Sequence, residues 1–245
     1  MKVAIVGGTG KTGRAVGAAL AQAGVDAHPL GRAAFDDLDT AFAGVDAVHL
    51  IAPNLHPDEP GYVGQVLAAM GVAGVRRLSY HSVASPYAPS MPHHLGKAVS
   101  EDLIRRSGLA WTILQPCAYV QNLLPALAQA LERGELAVPY SVGTPFGLVD
   151  LDDVGEATAV VLTEPGHVGA TYELGGPALV SVADVAAAAG VRARRTEPED
   201  GTHPWLLAMF AYYDEHGLPT GSVPLTSLLG RPPTSVEDVL AREHG

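Results

Sequence analysis

The sequence predicts an α/β fold of the doubly wound, Rossmann type: a parallel sheet covered by helices on both faces, with a small C-terminal α/β lobe over the sheet edge. Three observations predict it. A β-branched run breaks into a glycine-rich turn by residue 7, short apolar runs alternate with helical patterns for about 116 residues, and the alternation loosens beyond that point.

Residues 2–6 are the first strand, and residues 11–23 a helix whose Ala15, Gly17, Ala18 and Ala19 permit close packing. Residues 25–30 form the second strand. Residues 45–52 (VDAVHLIA) are apolar nearly throughout, as expected of a strand buried on both faces. Residues 63–72 read as a modest helix and 75–82 as a further strand. Ser90 and Pro92 supply a cap and an early proline for a helix through Ser107, which Gly108 closes. Its Leu95, Val99 and Leu103 form an apolar stripe, while Glu101 with Arg105 and Asp102 with Arg106 read as solvated pairs at i, i+4.

Residues 109–114 (LAWTIL) give another buried strand, broken by Pro116. Thereafter 138–149 is loop or short strand, 152–162 helix, 171–174 strand and 182–189 helix. From residue 196 Pro, Gly and His recur between helical pieces at 205–216 and 235–242. The chain reads as one domain over residues 1–245, with the core to about 165 and a lobe from about 166 that closes a substrate pocket.

With 47% apolar and 17% charged residues, the chain can bury a full core. A net charge of −11 repels a phosphate backbone, so nucleic acid is not an expected partner. The lone Cys117 cannot form an intrachain disulfide, and no stretch stays apolar long enough for a membrane span. A cytoplasmic protein, with an oligomer possible, is expected.

The segment VAIVGGTGKTGRAVG places Gly7, Gly10 and Gly13 at GxxGxxG spacing between strand and helix. In that context the first glycine permits the turn, the second lets a pyrophosphate approach the backbone, and the third brings helix against strand. The whole loop, Gly7, Gly8, Thr9, Gly10, Lys11, Thr12 and Gly13, is therefore a dinucleotide-binding candidate, with phosphate at the positive helix end. A P-loop is excluded, because the glycine it needs five positions before Gly10 is Ile5. The second strand ends Leu30, Gly31, Arg32, whereas Asp26 lies at its start. An arginine there accommodates a 2′-phosphate, so NADP(H) is favoured over NAD(H).

The stretches GGTGKTGR, FDDLDTAFAGVDAVHLIAP, MPHHLGKAVSEDLIRRSGLAWTILQPCAYVQN and LVDLDDVGEATAVVLTEPGHVGATYELGGP together resemble the NmrA-like family of atypical short-chain dehydrogenases/reductases. The resemblance reaches about Pro177, with an echo in LLGRPPTSVEDVL. It implies an NAD(P)-binding core, with members divided between reductases of quinones or conjugated C=C and C=N bonds and proteins that sense cofactor redox state. It also implies cofactor contacts at Asp36 or Asp37, at Ala52 and Pro53 after the third strand, and at Pro116. Where short-chain dehydrogenases carry Tyr-x-x-x-Lys, this chain reads His93 to Lys97, and the stretch before FDDLD is shortened.

Four residues apart on a helix, His93 and Lys97 share a face opposite the apolar stripe. Lys97 is the candidate for positioning the nicotinamide ribose, His93 or a bound water for giving the proton, and Ser82 for polarising the acceptor. Tyr119, Asn122, Tyr140 and Phe146 are candidates for the substrate pocket. The histidines show no metal-ligand spacing, so no metal site is expected. The reading that follows is an NADPH-dependent reductase of a small, largely apolar quinone, enone or imine. Its alternatives are a non-catalytic NADP(H) sensor acting through a protein partner, and a biosynthetic isomerase or cyclase on the same fold.

Overall fold

A computed structural model describes residues 1–244; Gly245 lies outside the described residues. The chain begins β1 (Lys2–Val6), α1 (Lys11–Gln22), β2 (Asp26–Leu30), α2 (Leu38–Ala41), β3 (Ala47–Leu50) and α3 (Glu59–Ala73). Next come β4 (Arg77–His81), α4 (Pro92–Arg105), β5 (Ala110–Pro116), α5 (Leu124–Arg133), β6 (Glu135–Val138), α6 (Leu151–Thr163) and β7 (Ala170–Leu174). The remainder is α7 (Val182–Ala188), β8 (Arg192–Arg195), α8 (Pro204–His216), α9 (Val223–Leu229) and α10 (Val236–His244).

Six parallel strands lie in the order β2-β1-β3-β4-β5-β7, so the direction of winding reverses between β1 and β3. A crevice opens at the carboxyl ends of strands where that happens. Pro29 is tolerated inside β2 because that strand lies at the sheet edge. The central β3 is buried at every residue, as its apolar run requires. No helix among the described residues is long and apolar enough to cross a membrane.

On one face, Val16 and Leu20 of α1 and Leu162 of α6 pack on Val3 and Ile5. Each such side chain contributes about 1.5–3 kcal/mol when fully buried. The two helices approach closely because both are built of small residues: a Cβ on Gly155 would stand 2.9 Å from the Ala15 carbonyl oxygen. On the other face, Val63, Val66 and Met70 of α3 and Ile104 of α4 cover Val6, Val48, Leu50 and Leu78. The C-terminal segments share a core with the sheet edge and α6, where Phe146, Leu148, Val185 and Val239 cluster with Leu114, Val154 and Leu174. They are pinned to α6 by Arg242, bidentate to Asp150 at 2.8 and 2.9 Å, and by Asp153, which accepts from Arg231 at 2.8 Å and Thr234 Oγ1 at 3.0 Å.

Several elements depart from the sequence expectation. The helix expected at 63–72 starts at Glu59, because the Asp58 side chain accepts from Gly61 N at 2.9 Å and Pro60 fits the first turn. Helix α4 is capped by Met91 without a side-chain bond rather than by Ser90, and it ends at Arg105 rather than Ser107. Pro116 closes β5 instead of breaking it before residue 115; at the last position the missing N–H costs little, and Cys117 N continues the ladder to the Leu174 carbonyl oxygen at 2.9 Å. Unanticipated elements are α2, α5, α9 and the two-stranded parallel sheet of β6 and β8.

The largest departure concerns the faces of α4. Its apolar Leu95 and Val99 are exposed, at 37% and 52%, while His93, His94, Lys97, Ser100 and Glu101 are buried. The polar face turns inward because the interior supplies partners for it, so Glu101 and Arg105 are not a solvated pair: the Glu101 carboxylate is fully buried. Asp102 and Arg106 do pair at the surface.

Candidate functional site

The turn after β1 is tight enough that three of its glycines have no room for a side chain. Gly7 has φ +78°, a conformation that side chains rarely adopt, and a Cβ there would lie 2.5 Å from the Ile51 carbonyl oxygen. A Cβ on Gly8 would stand 2.6 Å from Pro29 Cα, and one on Gly13 would collide with the backbone of Gly7 and Gly8. Gly10 differs, since its Cβ would meet only the Gly7 carbonyl oxygen, at 3.3 Å, and its open side borders a cavity. No side chain caps α1, which begins beside that cavity, so its first-turn N–H groups remain available to an anion. Arg14 Nη1 donates to the Thr9 carbonyl oxygen at 2.6 Å and holds the loop closed.

This first cavity, about 690 Å³, is lined by Gly7, Thr9, Gly10, Lys11, Thr12 and Gly13, by Gly31 and Arg32, and by Ala52 and Pro53 after β3. A wall unforeseen from sequence is aromatic: Phe35 stacks on Tyr62 with centroids 4.4 Å apart, and His56 leans on Tyr62 at 5.1 Å. Among the described residues, two cations, Lys11 and Arg32, border the cavity and no carboxylate does. Asp36 and Asp37 are exposed and outside the lining, contrary to the family-based expectation, and Asp37 instead caps α2 by accepting from Thr40 N at 3.0 Å. The cause is the single 3-10 turn Arg32–Asp36 that stands where a full helix is shortened away: residues three apart eclipse, so Arg32 and Phe35 face the cavity together. The glycine cradle, uncapped helix end and flat aromatic wall together fit a dinucleotide.

A second cavity of about 370 Å³ shares Lys11, Thr12, Ile51, Ala52 and Asn54 with the first. It brings together Ser82, His93, Lys97, Pro116, Tyr119 and Asn122, and Met209, Tyr213 and Leu218 of the C-terminal lobe close it. Tyr140 and Phe146 do not reach it. Their rings pack on each other at 5.8 Å and on Tyr213 at 5.5 and 5.3 Å, so they support the cavity from the core instead of lining it.

Lys97 is held from two sides. Its Nζ lies 2.7 Å from Glu59 Oε1 and donates to the His81 carbonyl oxygen at 3.2 Å. Glu59 also accepts from Tyr80 OH at 2.6 Å, and all three side chains are buried. Burying an ion pair gains little net stability, but it fixes geometry, because removing either partner strands a charge. His93, also buried, has its pKa pushed down to about 3 by burial and the nearby Lys97 charge. The neutral imidazole is therefore the form favoured here, not the imidazolium that the sequence reading needs as proton donor.

Ser82 Oγ donates to Glu101 Oε1 at 2.5 Å, and Gln115 Nε2 donates to the same oxygen at 2.7 Å. With its proton committed to a carboxylate, Ser82 cannot polarise an acceptor by donating to it. Two further contacts escaped the sequence reading. His81 Nε2 lies 2.6 Å from Tyr119 OH, and Lys11 Nζ donates to Asn122 Oδ1 at 2.8 Å. The only sequence signal for the first was the YHSVAS strand end. Among the described residues, no group of three or more His, Cys, Asp or Glu side chains is placed to hold a metal ion.

Residues 30–165 match the model of a family described as NAD(P)H-binding. An NAD(P)H azoreductase of Xenophilus azovorans is 34% identical over 160 residues, covering 64% of this chain and 55% of the relative. A (4-alkanoyl-5-oxo-2,5-dihydrofuran-3-yl)methyl phosphate reductase of Streptomyces griseus is 30% identical over 199 residues, covering 73% of this chain and 69% of the relative. The aligned part thus spans little more than half the length of the first of these relatives. Among solved structures, an NADPH-dependent quinone oxidoreductase from Escherichia coli complexed with NADPH superposes with a TM-score of 0.82 at 24% identity, covering 99% of this chain and 100% of that one.

Proposed function

The chain belongs to the NAD(P)H-binding family, with the fold of its NmrA-like atypical short-chain dehydrogenases/reductases, and from that premise we propose that it is an NADPH-dependent reductase of small, largely apolar acceptors. The observation that carries the reading is the junction of two cavities. A glycine cradle with a flat aromatic wall opens into a smaller chamber closed by Met209, Tyr213 and Leu218.

NADPH, when bound, supplies a hydride. The chain's own residues bind, orient and exclude water. The first-turn N–H groups of α1, at Lys11, Thr12 and Gly13, face the pyrophosphate, while those of Gly8 and Gly10 are spent holding the loop. Arg32, which makes no ion pair among the described residues, meets a 2′-phosphate, and the absence of a lining carboxylate removes the group that would hold a free ribose hydroxyl. Lys97 has spent two of its three ammonium donors, on Glu59 and on the His81 carbonyl oxygen, and keeps the third for the ribose at the junction.

Quinones, enones and imines suit the second chamber, because its closing residues are apolar and polarisable. The azoreductase among the relatives acts on an N=N bond, a related flat acceptor. Calorimetric titration of NADPH, NADP⁺ and NADH into the wild type and Arg32→Ala tests the cofactor reading. Preference for NADPH that falls roughly 10-fold or more in the variant supports it, as the loss of a charge-assisted contact implies. NADPH oxidation with menadione, 2-cyclohexenone and a cyclic imine then tests the activity. Tight binding without turnover on any of them returns the sensor reading.

A further inference from the structure

The reductase reading leaves one requirement unmet: a hydride delivered to C=O, C=C–C=O or C=N leaves a pair on oxygen or nitrogen that needs a proton. His93 is favoured neutral and Ser82 has given its proton to Glu101. A third group is placed for the task. Tyr119 lines the second cavity just ahead of the 3-10 turn Val120–Asn122, and its phenol oxygen lies 2.6 Å from His81 Nε2.

The direction of that hydrogen bond decides what Tyr119 can do. His81 is buried at the end of β4, and its Nδ1 has no partner. With the ring proton on Nδ1, an N–H would be buried without an acceptor and the tyrosine proton would be spent on Nε2. With the proton on Nε2, it has a partner at 2.6 Å, and only a lone pair on Nδ1 goes unmatched. Buried orphan N–H groups are rarer and costlier than unmatched acceptors. Nε2–H therefore donates to the Tyr119 oxygen, and the phenol keeps its own proton for the cavity. Lys11, tethered by Asn122, carries its ammonium 5.9 Å from the centroid of the same ring.

We propose that Tyr119 is the proton donor to the reduced acceptor and that His81 is its positioning residue, an inference that rests on the reductase reading above. As the acceptor takes a hydride from the reduced nicotinamide, its π pair moves onto oxygen or nitrogen and the Tyr119 O–H bond breaks to supply the proton there. The electron pair of that bond stays on the phenolate, which burial disfavours and which His81 Nε2–H, the Thr12 side chain and the Lys11 ammonium stabilise. Water reprotonates it. The tyrosine that the His93 to Lys97 motif lacks thus enters the site from the strand-end loop instead of the helix.

Two measurements on the full chain test this. Long-range ¹H–¹⁵N spectra of the histidine rings, without cofactor, are expected to show His81 as the Nε2–H tautomer; the Nδ1–H form overturns the proposal. Tyr119→Phe, which keeps the ring, is expected to bind NADPH within twofold of wild type and to lose about 10²–10⁴ in kcat with menadione at little change in KM. His81→Gln, which keeps an N–H donor, is expected to retain more activity than His81→Leu at matched melting temperature. A Tyr119→Phe kcat within threefold of wild type overturns the proposal. A wild type that fails to bind NADPH, or to turn over any acceptor, fails before Tyr119 is touched, and that result removes the reductase reading and this inference with it.

Discussion

Lowering the pH from 7.5 to 5.5 is expected to bring the fold close to collapse, and the reason is four histidines. His49 and His94 are fully buried, and His81 and His93 nearly so. Burial pushes His49 and His93 down to about 3 and His94 to about 4, and holds His81 well below 6.5, with the Lys97 charge adding to the effect on the last three. All four folded-state values lie below the unfolded value, so the unfolded chain binds more protons throughout this window. Their contribution is complete above pH 6.5 and is lost as the pH falls toward about 3.

One unit below the reference value, each such histidine forfeits on the order of 1 kcal/mol, and four together roughly 5 kcal/mol. That rivals the whole stability of an ordinary domain, about 5–15 kcal/mol. At roughly 2–4 °C per kcal/mol for this chain length, the melting temperature should drop about 10–20 °C between pH 7.5 and 5.5. Calorimetric melts in buffers of different ionisation enthalpy read both the drop and the proton uptake, expected near four protons at pH 5.5. His49, whose ring nitrogens have no partner, can be replaced without losing a hydrogen bond, so His49→Leu should lower the uptake by about one. A flat melting curve, or an uptake below two, refutes the reasoning.

Two further predictions concern the site. Gly10→Ala should fold with a loss under about 1 kcal/mol yet weaken NADPH binding at least 10-fold, because its methyl group enters the cavity; Gly13→Ala should fail to form the loop at all. Circular dichroism with calorimetric titration separates the two. Lys97→Met should cost about 3–5 kcal/mol by stranding buried Glu59, and adding Glu59→Gln should restore the melting temperature but not the NADPH affinity. Recovery of both would remove Lys97 from the binding site.

The sheet was legible because buried parallel strands are written as continuous apolar runs, as VDAVHLIA shows, and the glycine loop because its spacing answers to backbone collisions. Helix α4 misled for a physical reason. Hydrophobic periodicity assumes that polar side chains seek water, whereas Lys97 and Glu101 found buried partners on β4, β5 and α3, far away in sequence. Strand β8, RARR, has no buried face of its own to impose a period of two, and it is held by pairing with β6, where Arg194 meets Glu135. Tyr140 and Tyr119 are both tyrosines in loops, and only the packing of Tyr140 on Phe146, Phe210 and Tyr213 separates support from site.

Cys117 lines the same chamber as Tyr119, and burial pushes its thiol up to about 11 while its S–H donates to the Leu218 carbonyl oxygen at 3.3 Å. Quinones and enones are electrophiles that alkylate thiolates, and only the thiolate reacts. By keeping its one thiol protonated, the chamber protects itself from suicide inactivation by the compounds it is proposed to reduce, and a thiol-reactive drug aimed at this cysteine would meet the same resistance.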